Sequence, residues 1–155
     1  MRKEMAKRMA LYPDTNTFKF HNENPYERVT TGDCTFRAIA TATRKPWKQV
    51  LMEMAEMSCR TGFAINDKKG IEQYLKEQGW EKHKQPKKDD GTKYRGYEFC
   101  GRIRRRAGDL NEEYYNQNIL AMIGSKHIVC IVHGRIWDTW NSTNGCIGSW
   151  WTKAA

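Results

Sequence analysis

The last third of the chain limits its fold more than any other stretch. Segments 119–123, 127–132 and 135–140 are short and rich in β-branched and aromatic residues, with Gly or polar residues between them. Runs of this kind pair as neighbouring antiparallel strands. Between the second and third stand only His133 and Gly134, a two-residue turn with Gly where φ must be positive. The turn sets a register in which Val132 faces Arg135, Val129 faces Asp138 and His127 faces Trp140. His127 and Asp138 then leave one face of the sheet as diagonal neighbours, about 7 to 8 Å apart at the backbone, which a carboxylate and an imidazole can bridge. A turn one residue longer or shorter would reverse the face and put Thr139 or Asn141 in place of Asp138.

The first two-thirds carries helical spacing instead. The opening dozen residues suit a short amphipathic helix stopped near Pro13, its apolar side on the body of the domain; 18–20 reads as a brief strand and 21–33 as a polar loop. Phe36, Ile39, Ala40 and Thr43 recur at i, i+3, i+4 and i+7, predicting a helix over 34–44 with Asp33 as its N-cap and Cys34 at its first position. Pro46 opens a second helix ending near Thr61 and Gly62, and 67–77 reads as a third, stopped by Gly79. A further short helix is expected within 94–106. Helices followed by strands imply an α+β domain, with N-terminal helices packed on one side of a C-terminal antiparallel sheet.

With 155 residues there is room for a single domain, and six Trp within a 39% apolar composition exclude a disordered chain. No apolar run reaches the roughly 18 to 20 residues of a membrane span, and charges stand where a signal peptide needs its apolar stretch. The expected compartment is the cytoplasm, with no membrane partner. Five cysteines, odd in number and without a CxxC pair, argue for reduced thiols and against a disulfide framework or structural zinc; no cofactor or metal is expected.

A thiol at a helix start gains nucleophilicity when an imidazolium lies close, because both favour the thiolate. Cys34 has the first condition, and His127 oriented by Asp138 would supply the second. A lone cysteine at such a position is more often a small buried hydrophobe; the ordered histidine and same-face carboxylate shift the balance toward a nucleophile. Cys130 alternates to the face opposite His127 and reads as core, and Cys59, Cys100 and Cys146 read as structural. His133 is a turn residue, and His21 and His83 are expected to be exposed.

The segments GDCTFRAIATAT (32–43) and HIVCIVHGRIWDTWN (127–141) resemble the papain-like cysteine peptidase superfamily, closest to its small bacterial and bacteriophage members. The order of nucleophile, histidine and acid is part of the likeness. The resemblance implies a papain-like fold with the nucleophile opening a central helix, and a peptide or isopeptide hydrolase working through an acyl-enzyme. Cys34 would attack, His127 would carry the proton and Asp138 would orient the ring. The Cys34 N–H would meet the oxyanion, and Trp140 would shield the pair. The family's second oxyanion donor, a Gln six residues before the nucleophile, is replaced by Arg28, leaving Asn22 or Asn24 as substitutes.

Partners other than a protein or peptide substrate are suggested by charge. The formal net charge is +9, and segment 81–106 holds ten Lys or Arg against four acids. Lys87, Lys88, Arg102, Arg104, Arg105 and Arg106, interleaved with Tyr94, Tyr97 and Phe99, are candidate contacts for a nucleic acid or an acidic protein. The alternative function is therefore a viral or bacterial binding protein that keeps the scaffold and acts on a host protein or nucleic-acid complex without turnover.

Overall fold

The computed structural model describes residues 1–105 and 112–154. Within them the chain forms helices α1 (Lys3–Leu11), α2 (Cys34–Thr43), α3 (Trp47–Thr61), α4 (Lys68–Glu77), α5 (Gly96–Arg104) and α6 (Glu112–Asn116). The strands are β1 (Phe18–Phe20), β2 (Trp80–His83), β3 (Ile119–Ile123), β4 (His127–Val132), β5 (Arg135–Asp138) and β6 (Ile147–Lys153). All six strands join one sheet in the order β1-β5-β4-β3-β6-β2. The fold is α+β.

The expected meander is present: β3 pairs with β4 and β4 with β5, both antiparallel. His133 and Gly134 both have positive φ, 51° and 71°, as a tight hairpin turn requires. Val132 pairs with Arg135 and Cys130 with Trp137, the register that the turn length implied. The third strand stops at Asp138 rather than at Trp140.

Three features depart from the sequence reading. The sheet is mixed and not wholly C-terminal, because β1 runs parallel to β5 at one edge and β2 closes the other against β6. Strands β2 and β6 lack clean alternation: β6 reads IGSWWTK, with its burial bunched toward the end. Helices also cover both faces. Leu120, Met122, Ile128 and Cys130 pack with α2, α3 and α4, whereas Ala121, Val129, Ile131 and Ile136 pack with Phe99, Cys100 and Ile103 of α5. Strand alternation thus feeds two cores, and each needs its own cover.

Helix α1 departs in another way. None of its residues is buried, Met9 and Leu11 are exposed, and polar contacts hold it in place. Arg8 Nε donates to the Thr139 carbonyl at 3.1 Å, and the Arg2 N–H donates to Glu27 at 2.9 Å. Lys3, Glu4, Lys7 and Arg8 leave too narrow an apolar stripe to bury. Among the described residues no helix is long and apolar enough to cross a membrane.

Candidate active site

Helix α2 is the most deeply buried helix, with every residue from Thr35 to Thr41 inside. It lies against β4, so its first residue, Cys34, sits where β4 begins and β5 ends. Cys34 is half-buried, and the ring of His127 and the backbone N–H of Ile128 are the polar groups that act on its sulfur. His127 Nε2 lies 2.5 Å from Asp138 Oδ2. With Nε2 donating to the carboxylate, Nδ1 is the nitrogen left for Cys34. The Trp140 ring leans on the imidazole with centroids 4.8 Å apart.

The three titrations answer this geometry. Burial pushes the Cys34 thiol up, but the hydrogen bonds from His127 and Ile128 and the positive charges of His127 and Arg37 outweigh it, and the thiol lies below its ordinary 9.0. Burial pulls His127 down, yet hydrogen bonds to Asp138 and Cys34 and their negative charges raise it to about 9. Asp138 is only 2% exposed. Burial pushes its carboxyl up, and the His127 hydrogen bond together with the Arg37 charge holds it below the usual value. Each shift favours the charged form, the requirement for a thiolate–imidazolium pair.

Sequence reasoning missed the other side of this cluster. Asp33 stands at the N-cap position without making a side-chain cap. Its carboxylate turns inward, accepting from Arg37 Nε at 2.8 Å and from Asn24 Nδ2 and Trp47 Nε1 at 3.0 Å each. Arg37 Nη1 reaches Asp138 Oδ1 at 2.6 Å. A signal was available: an arginine within the apolar run of α2 needs carboxylate partners, and Asp33 precedes it at helical spacing. Because Asp33 faces Arg37, no acceptor among the described residues answers the first-turn N–H groups of Cys34, Thr35 and Phe36. The nucleophile's helix therefore presents an open, positive end.

Asn22 and Asn24 are engaged elsewhere. Asn22 Nδ2 donates to the Arg28 carbonyl at 2.9 Å and Asn24 Nδ2 to Asp33, so both amides brace the 21–33 loop. Cys100 and Cys130 are buried and Cys59 is exposed. His21 and His83, expected in solvent, are half-buried: the His21 ring lies tilted against Trp137 and His83 stacks on Trp150.

The basic segment lies around α5, on the other face of the sheet. A cleft of about 610 Å³ there is lined by Lys88, Tyr94, Tyr97, Arg102 and Arg105, with Asp89, Asp90 and Glu98 among them. Lys88 pairs with Glu98, Arg102 donates to the Tyr94 hydroxyl, and Arg104 donates to the Asn16 carbonyl. Lys87 and Arg105 are exposed. Arg106 and the end of the expected 94–106 helix lie outside the described residues. Among those residues no cluster of three or more His, Cys, Asp or Glu is arranged to hold a metal ion. Comparisons with family models, curated proteins and solved structures give no match.

Proposed function

We propose that the protein is a cysteine hydrolase of papain-like arrangement that cleaves a peptide or isopeptide bond. The observation that carries this reading is the convergence of Cys34, His127 and Asp138 at the uncapped start of α2, with the His127 ring held by Asp138 and acting on the Cys34 sulfur. The Cys34 thiolate attacks the carbonyl carbon, and the Cys34 backbone N–H meets the oxygen as it takes up negative charge. His127 passes its proton to the leaving amine, which departs and leaves a thioester on Cys34. The now neutral imidazole takes a proton from water, the resulting hydroxide attacks the thioester, and the acid is released with the thiolate restored. Asp138 holds the imidazole through Nε2 and favours its protonated state.

The test is capture of the acyl-enzyme. Mixed with a p-nitrophenyl ester, the protein should release a burst of p-nitrophenol equal to the enzyme present and carry the acyl group on Cys34 by mass spectrometry. Cys34→Ala and His127→Ala should each abolish that burst. Acylation of the exposed Cys59 in preference to Cys34, or a burst unchanged in His127→Ala, would overturn the assignment.

A further inference from the structure

Arg37 is the only charged residue in the buried run of α2. Its guanidinium is gripped along two edges: Nε donates to Asp33 Oδ1 at 2.8 Å and Nη1 to Asp138 Oδ1 at 2.6 Å. Asp33 is held in turn by Asn24 and Trp47, so the fork cannot swing away. On Asp138, Oδ1 also accepts the Thr139 N–H at 2.7 Å, and Oδ2 is left for His127. A carboxylate can turn about its last bond; two donors on one oxygen fix which oxygen meets the ring.

We infer that Arg37 is a positioning residue: it locks the Asp138 carboxylate so that Oδ2 faces His127, and it completes a chain of alternating charge, Cys34, His127, Asp138, Arg37, Asp33. This inference rests on the cysteine-hydrolase reading. The planar, permanently charged fork of arginine suits the task, since one rigid group must satisfy two carboxylates at fixed angles. A lysine would supply the charge and lose one of the two contacts.

The chain has an electrostatic consequence with a definite sign. A buried cation lowers the proton affinity of every ionisable neighbour, and a buried anion raises it. Removing the charge of Arg37 therefore moves the Cys34 and His127 titrations to higher pH, and removing that of Asp33 moves both to lower pH. The other titratable or charged groups at this end of the sheet are the same in both variants. They are His21, whose backbone N–H donates to the Asp138 carbonyl, its partner Glu23, and Arg8 of α1 at the Thr139 carbonyl. Helix α3 contributes the neutral Trp47 N–H.

The experiment is the pH–rate profile of iodoacetamide alkylation, resolved by site with mass spectrometry, with exposed Cys59 as internal reference. In Arg37→Met the acid limb of the Cys34 profile should move toward alkaline pH, lowering the rate at the wild-type midpoint about five- to tenfold, since one pKa unit is a factor of ten. In Asp33→Asn the limb should move the opposite way. Arg37→Lys should recover most of the limb position while the burst amplitude with ester stays reduced, because charge returns without the fork. Overlaid profiles for wild type, Arg37→Met and Asp33→Asn, or shifts of equal sign in the two variants, would overturn the inference. Should Arg37→Met fail to fold by circular dichroism, Asp33→Asn and Arg37→Lys decide the question. A wild-type profile that His127→Ala leaves unchanged would instead remove the hydrolase reading itself.

Discussion

Cys34 and Cys130 lie on two elements packed together, α2 and β4, and the protein treats the same side chain in opposite ways. At mid-strand, Cys130 is fully buried among apolar neighbours, and burial with the nearby negative charge of Glu23 pushes its thiol up. Cys100 on the other face is raised by burial to about 12. Beside the strand end, Cys34 at the start of α2 is half-buried, yet its thiol falls. The difference teaches that burial alone keeps a thiol inert and that partners decide the rest. In the middle of a sheet the neighbours across each strand are apolar by alternation, whereas at its end the chain can turn and bring in His127, Asp138 and Arg37.

The sharpest way to break that contrast is to remove the group on which the strand-end cluster converges. Asp138 is buried and accepts from His127, Arg37 and the Thr139 N–H. Asp138→Ala leaves two cations facing one another in a desolvated site. The expected loss is about 3 to 5 kcal/mol of unfolding free energy, the usual cost of stranding a buried charge, measured by urea denaturation. A loss below about 1 kcal/mol, the value of an exposed pair, would mean that the cluster is solvated and that Cys34 differs from Cys130 only by exposure.

A smaller effect sharpens the comparison through pH. His127 keeps its proton up to about 9 when folded against 6.5 ordinarily, so by itself it contributes stability that is full below 6.5 and lost as pH rises through 9. Cys34 titrates below 9.0 when folded, so its contribution is full above 9.0 and lost as pH falls through the folded value. Where both apply, the folded pair holds one proton on the imidazole and the unfolded pair holds one on the thiol. The proton counts match and wild-type stability is level. Cys34→Ser removes the compensating group, and stability should then decline above pH 6.5 by about 1 to 2 kcal/mol relative to wild type by pH 9. Parallel curves for the two proteins, from urea midpoints at each pH, would show that no ion pair forms.

How much of this could be read in the sequence follows from how local each signal is. The helix at Cys34 and the hairpin at His133 and Gly134 rest on spacings within a dozen residues, and both stand as expected. The partners of β1 and β2 are more than sixty residues away, and their own patterns are three and four residues long, so nothing nearby in the chain names the strand they join. The charge cluster was half legible. Asp33 was read as a cap because aspartate favours that position, but an arginine four residues on, inside a buried helix, competes for the same carboxylate and wins it. That competition is a matter of burial, which periodicity alone does not rank.

The smallest expected effect tests whether the hairpin and the cluster at its open end are built separately. Gly134 has φ 71°, and a methyl group there would meet Arg104 Cγ at 2.1 Å and the Cys100 carbonyl oxygen at 3.1 Å. The arginine side chain can move aside, so most of the penalty in Gly134→Ala is backbone strain of about 1 kcal/mol. The turn closes one end of β4 and His127 opens the other, about 20 Å away at the rise of a strand. If register survives, unfolding should come at a slightly lower urea concentration while Cys34 alkylation at neutral pH stays as in wild type. If the turn instead holds the register, a slip by one residue would carry Asp138 to the opposite face and replace it with a neutral side chain. Cys34 would then react slowly, as a thiol raised by burial should, and the loss of reactivity would far exceed the loss of stability.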